Sequence, residues 1–262
     1  MVVLPVLPDH GYGPWGVFNP YRLWWMTVLI AGISFGGYFA VKLLGAGRGI
    51  LLTGLLGGMS SSTAVTLNLA RLARAHPAWS STLASGILVA CGTMFPRMLL
   101  VAGLLHPPLL MRLAPPLGAM ALATYAGAGM LWWRQLGATQ GTSLPLSNPF
   151  QLGMALRFAV LLLGILFAAE WIRRLWGEQG LYVLAMISGL SDVDAITLSL
   201  ARMGGNGLSL DAAAWGILLA ALSNNLVKTG LALAVGGRAV GSRVGMTLLG
   251  SLFLGLAVNA AF

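Results

Sequence analysis

The sequence predicts an all-α, polytopic membrane protein made of two homologous helical repeats. Three observations predict it: a composition too apolar for water, a series of apolar runs long enough to cross a bilayer, and one segment that occurs twice. Of the 262 residues, 58% are hydrophobic and 8% are charged, against about 25% charged in a typical soluble domain. So few ions cannot cover the surface of a soluble fold of this size, whereas lipid can solvate the outer faces of packed helices.

The net charge of +9 would suit nucleic acid in a soluble protein. Here the Lys and Arg residues lie mostly between apolar runs, as the positive-inside bias places them. No basic stripe with interleaved aromatics is present, so nucleic acid is set aside. Cys91 is the single cysteine, which excludes an intrachain disulfide and most cysteine metal sites. His10, His76 and His106 form no pair at ligand spacing. With no nucleophile–base set and no GxxxxGK[ST] loop, neither an enzyme nor an ATP-driven pump is expected.

In chain order, residues 1–18 lack a basic leading region and are broken by Pro5, Pro8 and Pro14. They read as a connector along the membrane surface, not a signal peptide. The first repeat covers 19–134, a polar linker 135–147, and the second repeat 148–262. Spans of about 20 residues are expected at 23–44, 82–105, 117–133, 150–172, 211–236 and 244–262. Two more stretches, 50–70 and 180–201, are long enough but carry Gly with hydroxyl or acidic residues in their middles. Each is expected to be a broken or re-entrant helix.

The repeat rests on GMSSSTAVTLNLAR at 58–71 and GLSDVDAITLSLAR at 189–202, an offset of 131 positions (58 to 189). Gly58/Gly189, Ser60/Ser191, Thr66/Thr197 and Arg71/Arg202 are identical pairs in register, and the same offset pairs Arg97 with Lys228. An even number of spans per repeat gives parallel copies and an odd number gives inverted ones. Lys42 and Arg48 match Arg173 and Arg174 in the second copy. Equal basic character favours one side of the membrane for both connectors, hence four plus four spans; re-entrant segments at 50–70 and 180–201 would flip that parity.

The polar constellation lies in those two segments. Acidic side chains at membrane depth cost roughly 2.5–3.5 kcal/mol each, so Asp192 and Asp194 are functional candidates. Residues i and i+2 point about 200° apart on a helix. The two carboxylates can therefore share an ion only where the backbone is non-helical, which Gly189 would permit. In the first copy Gly57-Gly58 precedes Ser60, Ser61, Ser62 and Thr63, the same break with hydroxyls in place of carboxylates. Alternatively, Ser191-x-x-Asp194 is a capping box whose side chains satisfy the free N–H groups of a starting helix, which leaves Asp192 without a task. Lys228 is the natural partner of Asp192 or Asp194, and Asn224 and Asn225 offer amide oxygens. Arg97 follows Pro96, which would kink its helix, and snorkelling to the interface is the other reading of both cations.

The runs LLGAGRGILLTGLLGGMSSSTAVTLNLAR, ISGLSDVDAITLSLAR and SNNLVKTGLALA resemble the C-terminal membrane domain of MgtC/SapB-like proteins, a domain of unknown function. The resemblance implies a bacterial inner-membrane protein, a link to magnesium, and a separate MgtC-like membrane region as partner; a second copy of the chain is the other partner expected.

The expected function is ion transport or conduction, foremost of a divalent cation such as magnesium, at a site between the repeats. Asp192 and Asp194 would be the metal ligands. Ser191, Asn224, Asn225, Ser61 and Thr63 would complete the shell, and Lys228 would compete with the ion for the carboxylates. No cofactor is expected beyond this transported ion, and the bilayer itself is the main partner. A non-transporting regulatory or scaffolding module is the alternative. An anion transporter is a minor one, because helix N-termini together with Arg97 and Lys228 draw negative charge.

Overall fold

The computed structural model describes residues 6–12, 19–21, 23–25, 28, 50–133 and 152–261. The linker at 135–147, most of the 23–44 span, and Lys42 and Arg48 fall outside them. Nearly all described residues are helical. The helices are α1 (Ile50–Ala75), α2 (Ser80–Gly92), α3 (Met94–Leu105), α4 (Pro107–Trp133), α5 (Leu152–Ser191), α6 (Val193–Gly204), α7 (Leu210–Gly236) and α8 (Arg238–Ala261), with a 3₁₀ turn at Pro77–Trp79.

Among the described residues, four stretches are apolar and long enough to cross a bilayer: Pro77–Leu105, Pro107–Trp133, Leu210–Gly236 and Arg238–Ala261. The shortest has 24 residues, about 36 Å of helix against a hydrocarbon core of about 30 Å. They contain the expected spans at 82–105, 117–133 and 211–236 and most of the one at 244–262. Two prolines fall where helices tolerate them, whereas Pro115 and Pro116 lie inside α4. Pro107 opens α4, where an N–H would be unsatisfied anyway, and Pro96 lies in the first turn of α3, just after the interruption at Thr93. Gly177 (φ 60°) interrupts the 40-residue run of α5, and Gly237 (φ 82°) makes the turn from α7 into α8. Both angles suit a residue without a Cβ.

The chain divides into two compact units. One takes Met1–Ile33, Val101–Arg112 and Phe150–Asn224; the other takes Ser34–Leu100, Leu113–Pro149 and Asn225–Phe262. The core of the second unit is built from Val65 and Leu69 of α1, Leu83, Ile87, Leu88 and Cys91 of α2, and Val240, Val244 and Leu248 of α8, all buried. In the first unit Leu181 and Ala185 of α5, Ile196 and Leu200 of α6, and Ala213 and Ile217 of α7 are buried. Small residues let these backbones approach closely, as at membrane helix contacts generally. In the second unit Gly54 meets the Gly86 carbonyl, and a Cβ on Gly58 would stand 2.6 Å from Ala90 Cα.

Candidate functional site at two helix breaks

Both expected breaks are present, and neither lies at its glycine. Within α1 the only non-helical backbone is at Ser61 (φ −159°, ψ 99°), and α5 gives way to α6 at Asp192 (φ −160°, ψ 140°). Extended backbone of this kind needs no glycine. Ser61 and Asp192 occupy equivalent positions at the 131-residue offset.

Each break exposes N–H groups on one side and carbonyls on the other, and side chains meet several of them. Ser61 Oγ accepts from the Ala64 N–H at 3.3 Å, and Asp192 Oδ1 accepts from the Asp194 N–H at 3.2 Å. Asp192 is thus the N-cap of α6. This corrects the capping-box reading: Ser191 is exposed, at the end of α5, and the cap falls one residue later. Asp satisfies the backbone there, and Asp194 takes the favourable first-turn position near the positive end of the helix dipole.

On the carbonyl side, Asn224 Nδ2 donates to the Gly189 carbonyl at 2.8 Å, and Arg97 Nη1 donates to the Met59 carbonyl at 3.2 Å. The glycines serve close approach. Gly58 packs on Ala90 and Thr93 of the α2–α3 stretch, and Gly189 packs on Ala220 and Ser223 of α7, with no room for a Cβ in either case.

The predicted residues therefore fall into two groups. In the first unit Asn224, Asp192 and Asp194 gather at the α5–α6 break. Asp192 is half-buried, while Asp194 and Asn224 are buried. In the second unit Ser61 is exposed and Thr63 half-buried on α1, whereas Asn225 and Lys228 of α7 have no exposed surface. Lys228 Nζ donates to the Met94 sulfur at 3.4 Å, a weak acceptor. Neither amide atom of Asn225 has a hydrogen-bond partner among the described residues, and the same holds for the buried Thr229 hydroxyl one turn on. Thr229 packs its methyl against Gly245. No three His, Cys, Asp or Glu side chains converge among the described residues.

A family model described as a domain of unknown function (DUF4010) matches residues 28–236. The chain belongs to this family. An uncharacterized protein of Aquifex aeolicus (strain VF5) is 34% identical over 200 residues, 76% of this chain and 86% of its own length. No solved structure matches. The family match takes in both breaks and all of α7, including Lys228.

Sequence reasoning passed over Met94 and Thr93. The sequence signal near them was the 131-position offset between Arg97 and Lys228 (97 to 228). Glu170, Arg173 and Arg174 lie in α5, whose first half is described only by its backbone at those positions.

Proposed function

We propose that this protein moves a small inorganic ion across the membrane, using one broken helix in each of two inverted repeats. The observation that carries the reading is the pair of breaks, at Ser61 and Asp192, in matching apolar helices. Irregular backbone at membrane depth persists where it lines a cavity, and broken helices facing polar groups are how repeat-built transporters bind ions.

Helix direction supports inversion. In the second unit Arg74, at the end of α1, donates to the Ala234 carbonyl near the end of α7 at 3.3 Å. Arg243, early in α8, donates to Ser80 Oγ at the start of α2 at 2.7 Å. So α2 starts at the level where α7 ends, and the two helices run oppositely, although the repeat register pairs α2 with the first half of α7. In the first unit the ion pair of Arg112 with Asp211 (2.9 Å) joins the starts of α4 and α7, in keeping with that direction. We therefore read the repeats as inverted, against the parity that the basic connectors favoured.

The cargo we propose is a divalent cation such as magnesium, with Asp194, buried in the first turn of α6, as its carboxylate ligand. Mg²⁺ keeps several waters and needs only one or two carboxylates, which suits a site without a cluster of acids. The resemblance to MgtC/SapB-like proteins points the same way. Lys228, wholly buried in α7, favours a second reading in which the cargo is an anion.

Flux into proteoliposomes tests the proposal, with Mg²⁺ and chloride indicators and the Asp194→Asn variant beside wild type. Mg²⁺ uptake that falls in the variant supports it, and uptake of chloride alone selects the anion reading. No flux from folded protein overturns transport. Inversion is tested separately in a Cys91→Ser background, by labelling Ala75→Cys and Asn206→Cys with an impermeant maleimide. The two positions are equivalent and exposed, so inverted repeats label from opposite faces and parallel repeats from one.

A further inference from the structure

In the first unit a cavity of about 450 Å³ is lined by Tyr21, Trp25, Leu105, His106, Arg202, Gly205 and Asn206. This volume is within the range of small-molecule sites, about 300–1,000 Å³. The polar side chains around it are a guanidinium, an imidazole, a phenol and an amide, and no carboxylate is among the described residues that line it. We propose that this cavity holds the phosphate of an anionic phospholipid headgroup.

Its place in the chain sets its depth. His106 joins the end of one candidate span, Pro77–Leu105, to the start of the next, Pro107–Trp133, and Asn206 lies four residues before the span that begins at Leu210. Three span ends therefore meet the cavity or its immediate neighbours, which puts it at headgroup level. Tyr and Trp concentrate at that level because one end of each ring system is polar. Basic pockets beside span ends recognise charged headgroups.

The walls are fixed by local bonds. The His106 ring lies against the turn after α6: a Cβ on Gly204 would be 3.6 Å from its Cδ2, and one on Gly205 would be 3.4 Å from its Nδ1. Asn206 Nδ2 donates to the Arg202 carbonyl at 2.7 Å and closes that turn, and both residues line the cavity. Beside Tyr21 and Trp25 in the sequence, Asn19 is buried and donates to Asp9 Oδ1 at 2.9 Å, and the Leu23 N–H returns to the Asn19 carbonyl. These contacts order the segment that carries Tyr21 and Trp25. A planar guanidinium suits phosphate oxygens geometrically, while Trp25 and Leu105 offer apolar surface to the glycerol and upper acyl chain. The pocket draws on both halves of the sequence, from Tyr21 to Asn206, and does not depend on the transport reading.

Native mass spectrometry of the detergent-purified chain tests it, titrated with phosphatidylglycerol, phosphatidylcholine or inorganic phosphate. Wild type is expected to retain phosphatidylglycerol at least tenfold better than phosphatidylcholine. Arg202→Gln and, independently, His106→Gln are expected to lose most of that preference. Arg238→Gln, outside the pocket, keeps it and controls for net charge. Unfolding temperatures identify any variant that has lost its fold. Equal retention of the two lipids, an unchanged preference in both folded pocket variants, or inorganic phosphate binding as tightly as the lipid would each overturn the assignment.

Discussion

Ser61 and Asp192 both hold extended backbone, with φ of −159° and −160° and ψ of 99° and 140°, at breaks in two different helices of one chain. Each turns a side-chain oxygen onto an N–H in the turn that follows, Ser61 to Ala64 and Asp192 to Asp194. A hydroxyl and a carboxylate thus do the same capping work in the two halves. The carboxylate also brings a negative charge, so the halves share a backbone solution and differ in electrostatics.

Capping sets the first prediction. Ser61→Ala and Asp192→Ala should each destabilise the protein by about 1 kcal/mol, the usual loss of an N-cap oxygen. Asp192→Asn should cost much less, because Asn caps as well as Asp does. Thermal unfolding in detergent, followed by circular dichroism, separates these cases. An Asn variant as unstable as the Ala variant would show that the charge of Asp192, not its cap, holds the break.

What could be read from the sequence follows from the length scale of each feature. The likeness of 58–71 to 189–202 was legible because Gly, Ser, Thr and Arg recur together 131 positions apart (58 to 189), and the breaks were legible because polar residues interrupt apolar runs. Their placement was three residues off. Gly58 and Gly189 looked like hinges, yet both are needed for close approach to a neighbouring helix, a contact between segments more than thirty residues apart (189 and 224). The alternative capping-box reading puts the cap at Ser191, whereas Asp192 takes it, since adjacent Ser and Asp are nearly equal N-caps. The headgroup pocket draws on residues from 21 to 206, which no local pattern connects.

Close approach gives the second prediction. Gly189→Ala would drive a Cβ into Ser223 Oγ and the Ala220 carbonyl, and Gly58→Ala would meet Ala90 Cα at 2.6 Å and Thr93 Oγ1 at 2.6 Å. Overpacking of this kind costs about 1–3 kcal/mol. Adding Ser223→Ala to Gly189→Ala should restore only part of the loss, because the Ser223 hydroxyl is removed while the Ala220 backbone stays. Complete recovery in the double variant would locate the clash at the hydroxyl alone.

The Arg112–Asp211 ion pair should matter little to stability. Its N···O distance is 2.9 Å, but the Asp211 side chain is 74% exposed. Water and salt screen such pairs to within about 1 kcal/mol, often less. Asp211→Asn should therefore shift the unfolding temperature by no more than a degree or two. A larger shift would mean that the contact between the starts of α4 and α7 is coupled to the rest of the first unit.

Asn225 provides the sharpest separation of structure from function. Its side chain has no exposed surface, and neither amide atom finds a hydrogen-bond partner among the described residues. An unsatisfied polar group in such a place costs about 1–3 kcal/mol. Leu is close to Asn in size and carries no polar atoms, so Asn225→Leu should raise stability by up to that amount, a few degrees of unfolding temperature for a chain of this length. Polar groups buried inside membrane proteins at such a cost default to functional sites. If the Asn225 amide contacts the permeating ion or its water, the same variant should lose at least tenfold in proteoliposome flux. Gain in stability together with loss of flux is the expected result. Unchanged flux would remove Asn225 from the ion path, and a fall in stability would show that its amide is satisfied by water or protein in the resting state.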